Sequence, residues 1–173
     1  GKYSMFKKMI DRFGQFSYSR MVKNPVTGEM DSIFHQSYLT GSASNYPAYA
    51  LNDENMPMLL SVQDHTENAC PGLTVPTNDA LTSYLTNSLL GDYYTSYEEM
   101  PLDVLGMFIN INFYKQNLDL LPSKAGNFFN AQVEKVDLQM TDVVDIRQTS
   151  NGLFYGINKV FTTNSFSTVI GPI

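Results

Sequence analysis

The stretch that decides the fold reads VVDIRQTSNGLFYGINKVF and covers residues 143–161. Two apolar-rich runs flank a turn at Ser150-Asn151-Gly152, and an Asn-Gly pair tolerates the positive φ that tight hairpin turns require. Side chains alternate between the two faces of a strand, so Leu153, Tyr155 and Ile157 share one face. The sequence therefore predicts a β-hairpin that turns one apolar face towards a core.

The length and composition suit one domain, or one domain with an extended N-terminal segment. Of the 173 residues, 43% are hydrophobic, so a sizeable core can form. The aromatic residues are 11 Tyr and 11 Phe without any Trp, which favours β-rich packing. The single cysteine, Cys70, excludes an internal disulfide, and we expect it to be a small, partly buried apolar residue.

The charge of the chain argues against two classes of partner. There are 11 basic and 17 acidic residues, a net charge of −6, and the densest basic group is only Lys7-Lys8 with Arg12. Neutralising a phosphate backbone needs several clustered Lys or Arg side chains. We therefore expect neither nucleic acid nor an anionic lipid surface as a partner, and no apolar run of the sequence is long enough to span a membrane.

The first third of the chain begins with a helical pattern and then becomes hard to interpret. Apolar residues at spacings of three and four predict an amphipathic helix over residues 3–13, with Gly14 as its C-terminal stop. Residues 15–72 are predicted to be mostly irregular. Within them we expect a turn at Asn24–Gly28, a strand over Ser32–Leu39 and a short buried strand over Met58–Val62. Such long irregular segments are often functional insertions.

The middle of the chain carries a strand followed by a helix. Leu73-Thr74-Val75 is predicted to be a strand, and Pro76 ends it because proline cannot donate to a sheet ladder. Thr77 then suits the N-cap of a helix, with the Asp79 carboxylate near the positive helix end. The apolar spacing predicts that this helix continues to about residue 90, where Gly91 closes it.

Three further elements are predicted before the closing hairpin. Pro101 suits the first position of a helix that runs to Phe108. The run Ile109–Phe113 alternates between apolar and polar residues, which is typical of a strand. A second strand is predicted over Val133–Met140, where Val136, Leu138 and Met140 alternate with polar residues.

Together these regions resemble fasciclin domains. The run from Asn151 to Phe161 is similar to the C-terminal signature of that family, and Pro76-Thr77-Asn78-Asp79-Ala80 is similar to an earlier motif. The helix-to-strand run before Phe113 resembles the middle motif. By register, Met107 and Phe108 occupy the positions of its Tyr and His, so the histidine is absent.

The resemblance implies a fold and an organisation. The expected fold is α+β, a wedge of mainly antiparallel strands with short helices packed on it, and the expected unit is a single domain over residues 1–173 with a long insertion at about 15–72. Residues 166–173 are expected to lead into a following segment of a longer protein. The structural motif residues of this fold would be Pro76, Thr77, Asn78, Asp79, Asn151 and Gly152.

The implied function is non-catalytic adhesion or protein interaction at the cell surface or in the extracellular space. We expect a bacterial surface lipoprotein, held at the outer membrane by an anchor outside this fragment, with a cell-surface or matrix protein as partner. In animal fasciclin domains an Asp-Ile pair at about the place of Asp145-Ile146 is linked to integrin binding, so these two residues are a possible interaction site. No catalytic residue, cofactor or metal is expected.

Two other functions are left open by the sequence. The first is a glycan-binding surface module that uses exposed tyrosines, with Tyr93, Tyr94 and Tyr97 as the interaction residues. The second is a hydrolase with an unrecognised site around His35 or His65, although no Gly-x-Ser-x-Gly run occurs.

A metal site is a poor interpretation of the chain. Its only residues of metal-ligand type in one cluster are Asp64, His65, Glu67 and Cys70. Zinc sites favour paired Cys or His at tight spacing, and a solvated acidic loop explains this cluster better.

Overall fold

The computed structural model of the chain describes residues 1–38, 72–88, 93–114, 128–130, 134–149, 152–163 and 166. Three α-helices and eight strands lie within these ranges, and most strand pairs are antiparallel. The predicted α+β class is therefore confirmed.

The elements follow one another in the order predicted from the sequence, with additions and with shifted ends. The helices are α1 Ser4–Asp11, α2 Asn78–Asn87 and α3 Leu102–Asn110. The strands are β1 Gly14–Lys23, β2 Met30–Tyr38, β3 Gly72–Pro76, β4 Phe113–Tyr114, β5 Phe128–Phe129, β6 Lys135–Val136, β7 Val143–Thr149 and β8 Gly152–Ile157.

The central sheet has the strand order β4-β3-β8-β7. The predicted closing hairpin is confirmed as β7 and β8, which pair in antiparallel register with Ile146 opposite Tyr155. Of the turn, Ser150 and Asn151 lie outside the described residues. Strand β3 pairs with β8 in parallel, which brings the middle of the chain beside its end. The side chains of Tyr155 and Ile157 are fully buried on the core face of this sheet.

Helix α1 closes one side of the core, as its apolar spacing predicts. Phe6, Met9 and Phe13 are all buried. The helix ends earlier than predicted, at Asp11, and Gly14 is the first residue of β1 rather than a helix stop. The guanidinium of Arg12, directly after the helix, donates to the carbonyl oxygens of Tyr97 and Met100, which holds the chain in its new direction.

Helix α2 begins as predicted. The Thr77 hydroxyl accepts a hydrogen bond from the Ala80 N–H at 3.2 Å, which is the N-cap contact, and Pro76 is the last residue of β3. The helix ends at Asn87, before the predicted end at about residue 90. The predicted stop at Gly91 lies outside the described residues.

The predicted strand over Ile109–Phe113 is wrong for most of its length. Ile109 and Asn110 belong to α3, and only Phe113 continues into β4. The helical spacing of buried Leu105, Phe108 and Ile109 outweighs the local alternation. The side-chain amide of Asn112 donates to the Phe108 carbonyl at 3.1 Å and so caps the end of the helix. Pro101 precedes α3 as its N-cap, one position before the predicted one.

The predicted strand over Val133–Met140 is also largely wrong. Lys135 and Val136 form β6, whereas Met140–Asp142 form a 3₁₀ turn. Gln139 and Asp142 cap this turn reciprocally, side chain to backbone in both directions, which ends the extended chain. Val133 lies outside the described residues.

Residues 14–38 form a two-stranded ribbon where the sequence predicts mostly irregular chain. The turn at Asn24–Gly28 is confirmed: the Asn24 side chain accepts from the N–H groups of Val26 and Thr27, and Gly28 has a φ of +77°. The strand predicted over Ser32–Leu39 is confirmed as β2, which begins two residues earlier, and Leu39 lies outside the described residues. Strand β1 was not predicted. The predicted strand at Met58–Val62 lies outside the described residues.

Candidate functional site

The ribbon of β1 and β2 carries an apolar surface that the sequence analysis missed. We define the apolar stripe as the large apolar side chains that the register places on one face of this ribbon: Phe16, Tyr18, Met21, Met30 and Phe34. These five are 50–76% exposed. The register also places Ser32 and Lys23 on this face, opposite Met21 and Met30. The rings of Tyr18 and Phe34 face each other across the strands at 6.1 Å in an edge-to-face arrangement. The stripe is thus a mainly apolar surface open to solvent.

A bulge in β1 produces this one-sided arrangement. The pairing shifts between Tyr18 and Arg20, so that Ser19 is an extra residue on β1. Before the bulge, Phe16 and Tyr18 are on the stripe face, and after it Met21 is on the same face instead of the opposite one. The apolar residues of β1 therefore do not follow a strict period of two in the sequence, although they lie on one face of the ribbon. Periodicity alone did not reveal the stripe for this reason.

The opposite face of the ribbon is mixed. The register places Arg20, Val22, Asp31 and Ile33 there, with Val22 38% and Ile33 42% exposed. Charged and apolar side chains alternate across this face, so it resembles an ordinary solvated sheet surface. The two faces therefore offer matched apolar positions in different surroundings: Ile33 beside Phe34, and Val22 beside Met21.

The predicted interaction residue Asp145 lies on β7, the last strand of the central sheet, where it joins the hairpin to the N-terminus. Its Oδ2 accepts hydrogen bonds from Arg147 Nε at 2.9 Å and from the Tyr3 hydroxyl at 3.3 Å. The Tyr3 ring also packs edge-on against Phe154 at 5.0 Å. In the strand register Asp145, Arg147 and Phe154 share the sheet face of Gly156, and the Tyr3 hydroxyl lies above Gly156.

Electrostatics at this junction favour the ionised carboxylate. The hydrogen bond and charge of Arg147 lower the pKa of Asp145, against an opposing effect of burial. Burial and the nearby Asp145 charge raise the pKa of Tyr3. The side chain of Ile146 is 38% exposed and points to the other face of the strand. One ligand could therefore reach both members of the Asp145-Ile146 pair only across the sheet edge.

The three predicted tyrosines do not form one exposed platform. Tyr93 is 49% exposed, Tyr94 is half-buried against the core and Tyr97 is buried. Burial, with a smaller contribution from Glu98, raises the pKa of Tyr97 to about 12. Of the three rings, Tyr93 is the only one with a largely open side chain.

The motif residues around Pro76 hold the fold together. The Asn78 side chain accepts from the Met5 N–H at 3.0 Å and donates to the Gly1 carbonyl and the Ser4 hydroxyl. Pro76 pairs with Ile157, the last residue of β8. Asp79 is exposed in the first turn of α2, and Gly152 begins β8. Asn151 lies outside the described residues.

A polar group inside the core was also missed by the sequence analysis. The buried Thr74 hydroxyl donates to Asn112 Oδ1 at 3.2 Å and lies 3.4 Å from the Tyr114 hydroxyl. Burial raises the pKa of Tyr114 to about 12, with an opposing effect of the Thr74 hydrogen bond. These contacts join β3 to the end of α3 and to β4.

Metal-ligand groups and internal space were compared over the described residues. In these ranges, no three His, Cys, Asp or Glu side chains lie close enough to hold a metal ion. The narrow apolar gap between Met9, Leu81 and Phe108 has no room for a water molecule. Asp64, His65, Glu67 and Cys70 lie outside the described residues, as does the side chain of His35. Among the helices described, none is long and apolar enough to cross a bilayer.

Comparison with protein-family models, with curated proteins and with solved structures finds no match to this chain.

Proposed function

We propose that this chain is a non-catalytic interaction domain of fasciclin type that mediates adhesion at the cell surface or in the extracellular space. The fold is compatible with the motif resemblance because two of the motifs meet in space. Pro76 pairs with Ile157 across the parallel strands, and the Thr77 N–H donates to the Ile157 carbonyl at 2.9 Å. An outer-membrane lipid anchor elsewhere in a longer bacterial protein is part of the same proposal.

The apolar stripe is the single observation that carries the binding function. Monomeric proteins rarely expose contiguous apolar patches of more than a few hundred Å², and larger ones mark interaction sites. Aromatic and Met side chains are also enriched in the cores of protein interfaces. The stripe consists of such residues, beside Lys23 and Ser32 on the same face, and Phe16 is its most exposed member at 76%. We therefore assign the protein-binding surface to the stripe.

Glycan binding has weaker support than protein binding. Sugar stacking needs open aromatic faces, and the Tyr93–Tyr97 segment offers only one largely exposed ring among its three. A protein surface is therefore the better match.

Binding to immobilised cell-surface and matrix proteins tests this function, with a glycan array as the parallel arm. We expect the wild type to bind a protein component and the Phe16→Ser/Phe34→Ser variant to lose at least tenfold in affinity, a change of about 1.4 kcal/mol. The matched control is Val22→Ser/Ile33→Ser, which alters the opposite face and should bind like the wild type. Protein binding that is equal in all three, or glycan binding that is lost with Tyr93→Ala, would contradict the assignment.

A further inference from the structure

The ribbon of β1 and β2 is a two-stranded sheet that is exposed to solvent over most of its length. Every residue from Tyr18 to Phe34 except Asn24 is exposed. An isolated two-stranded hairpin is marginally stable in water, and sheets become stable when one face packs against another layer. The apolar stripe is the face that such a layer would bury.

We infer that the layer is a second copy of this chain, whose apolar stripe packs face to face against the first in a symmetric dimer. The inference rests on the proposed function, because it names the partner of the same surface. The size of the stripe, the positions of its residues and the net charge of the ribbon support this dimer.

The area of the stripe is the first argument. A large apolar side chain offers about 200 Å² when fully exposed, so the five members at 50–76% exposure leave about 600 Å² open per copy. Face-to-face packing of two copies would bury about 1,200 Å² in total, the lower limit for specific protein interfaces. Two stripes therefore supply the area that a weak but specific dimer needs.

The pattern of the stripe is the second argument. A two-fold interface requires that a patch be complementary to itself. Apolar residues occur on both strands of the ribbon, Phe16, Tyr18 and Met21 on β1 with Met30 and Phe34 on β2. A second ribbon turned over the first would therefore meet apolar side chains along both strands, in the manner of two aligned sheet layers. Edge-to-edge addition of strands would leave both stripes uncovered.

The net charge of the ribbon is also compatible with this dimer. The ribbon holds two basic residues, Arg20 and Lys23, and two acidic residues, Glu29 and Asp31, so its net charge is zero. The whole chain has a net charge of −6, all of which therefore resides outside the ribbon. Two copies that approach each other through their ribbons therefore meet without net charge repulsion between the ribbons.

Sedimentation velocity over a protein concentration range of about 1–300 µM tests the inference. We expect a monomer–dimer equilibrium within this range, with a Kd on the order of 10 µM. Phe34→Lys and Met21→Lys should each weaken dimerisation at least tenfold, because they place a charge inside the buried layer. The neighbouring controls Ile33→Lys and Val22→Lys add the same charge to the opposite face and should dimerise within threefold of the wild type.

The substituted positions are exposed, and far-UV circular dichroism of each variant checks that its fold is retained. A wild type that stays monomeric across the range would overturn the inference, as would a dimer weakened equally by the variants on both faces. If the chain is monomeric but binds another protein through the stripe, self-association fails and the proposed adhesion stands. If the stripe dimerises and no surface or matrix protein binds, the dimer stands and adhesion to a second protein fails.

Discussion

Replacement of Gly156 by alanine is the sharpest test of how the N-terminus is joined to the closing hairpin. A Cβ atom at this position would collide with the Tyr3 hydroxyl, and it would lie 2.6 Å from Tyr3 Cζ and 2.9 Å from the Cβ atom of Asp145. Side chains do not tolerate such distances, so the Tyr3 ring must leave its place. The ring would then lose its hydrogen bond to Asp145 and its edge contact with Phe154.

The magnitude follows from the contacts that are lost. The partly buried hydrogen bond at 3.3 Å contributes about 1 kcal/mol and the aromatic pair about 1 kcal/mol. Alanine in place of glycine restricts the unfolded chain, which offsets about 0.5 kcal/mol. We therefore expect Gly156→Ala to lower the free energy of unfolding by about 1.5 kcal/mol.

Urea unfolding of a double-mutant cycle with Tyr3→Ala is the assay. Without the tyrosine ring, alanine at 156 meets only the Asp145 contact, so its cost should fall by at least about 1 kcal/mol. If Gly156→Ala costs the same with Tyr3 or Ala at position 3, the ring does not occupy the space above Gly156 and the reasoning is refuted. A neutral or stabilising Gly156→Ala would refute it as well.

Three further substitutions probe the other polar contacts. Thr74→Val should lower the free energy of unfolding by about 2 kcal/mol in urea titrations, because it leaves buried Asn112 Oδ1 without its donor, whereas Thr74→Ser should recover most of it. Thr77→Ala should cost about 1 kcal/mol by loss of the N-cap, seen as a lower Tm, and Thr77→Ser should stay near the wild type. Arg147 keeps the pKa of Asp145 below its unfolded value, so this contact stabilises the fold above pH of about 4 and is lost as pH falls through the folded pKa. Asp145→Asn should accordingly cost about 0.5 kcal/mol at pH 7, and its urea midpoint should converge with that of the wild type as the pH falls through the folded pKa of Asp145; a gap that persists at the acid end of the titration would contradict the linkage.

The elements that depend on interactions between neighbouring residues could be predicted from the sequence. The Thr77 cap, the turn at Asn24–Gly28 and the alternation of Leu153, Tyr155 and Ile157 were visible in the sequence because each depends on neighbouring residues. The strand prediction for Ile109–Phe113 was wrong for the opposite reason. Its alternation is local, whereas the burial of Leu105 and Ile109 against the sheet is a tertiary effect that favours the helix.

The candidate site was harder to predict than the fold. The role of Asp145 in interaction stays a prediction, and its contact with Tyr3 joins residues 142 positions apart, which a single sequence does not reveal. The position of Tyr97 in the core likewise depends on tertiary packing rather than on its neighbours. The apolar stripe was hidden by one extra residue, Ser19, that shifts the alternation of β1.

The motif residues and the apolar stripe, to which we assign binding, lie in different parts of this chain. Asn78 fastens the N-terminus, and Pro76 pairs with β8 inside the sheet. Residues engaged in this way are not available to a partner, so the motif resemblance bears on the fold and leaves the ligand open. The ribbon carries none of the motif residues, and its large apolar side chains face solvent. A change to the stripe should therefore alter binding with little effect on stability, and a change to Asn78 should do the reverse.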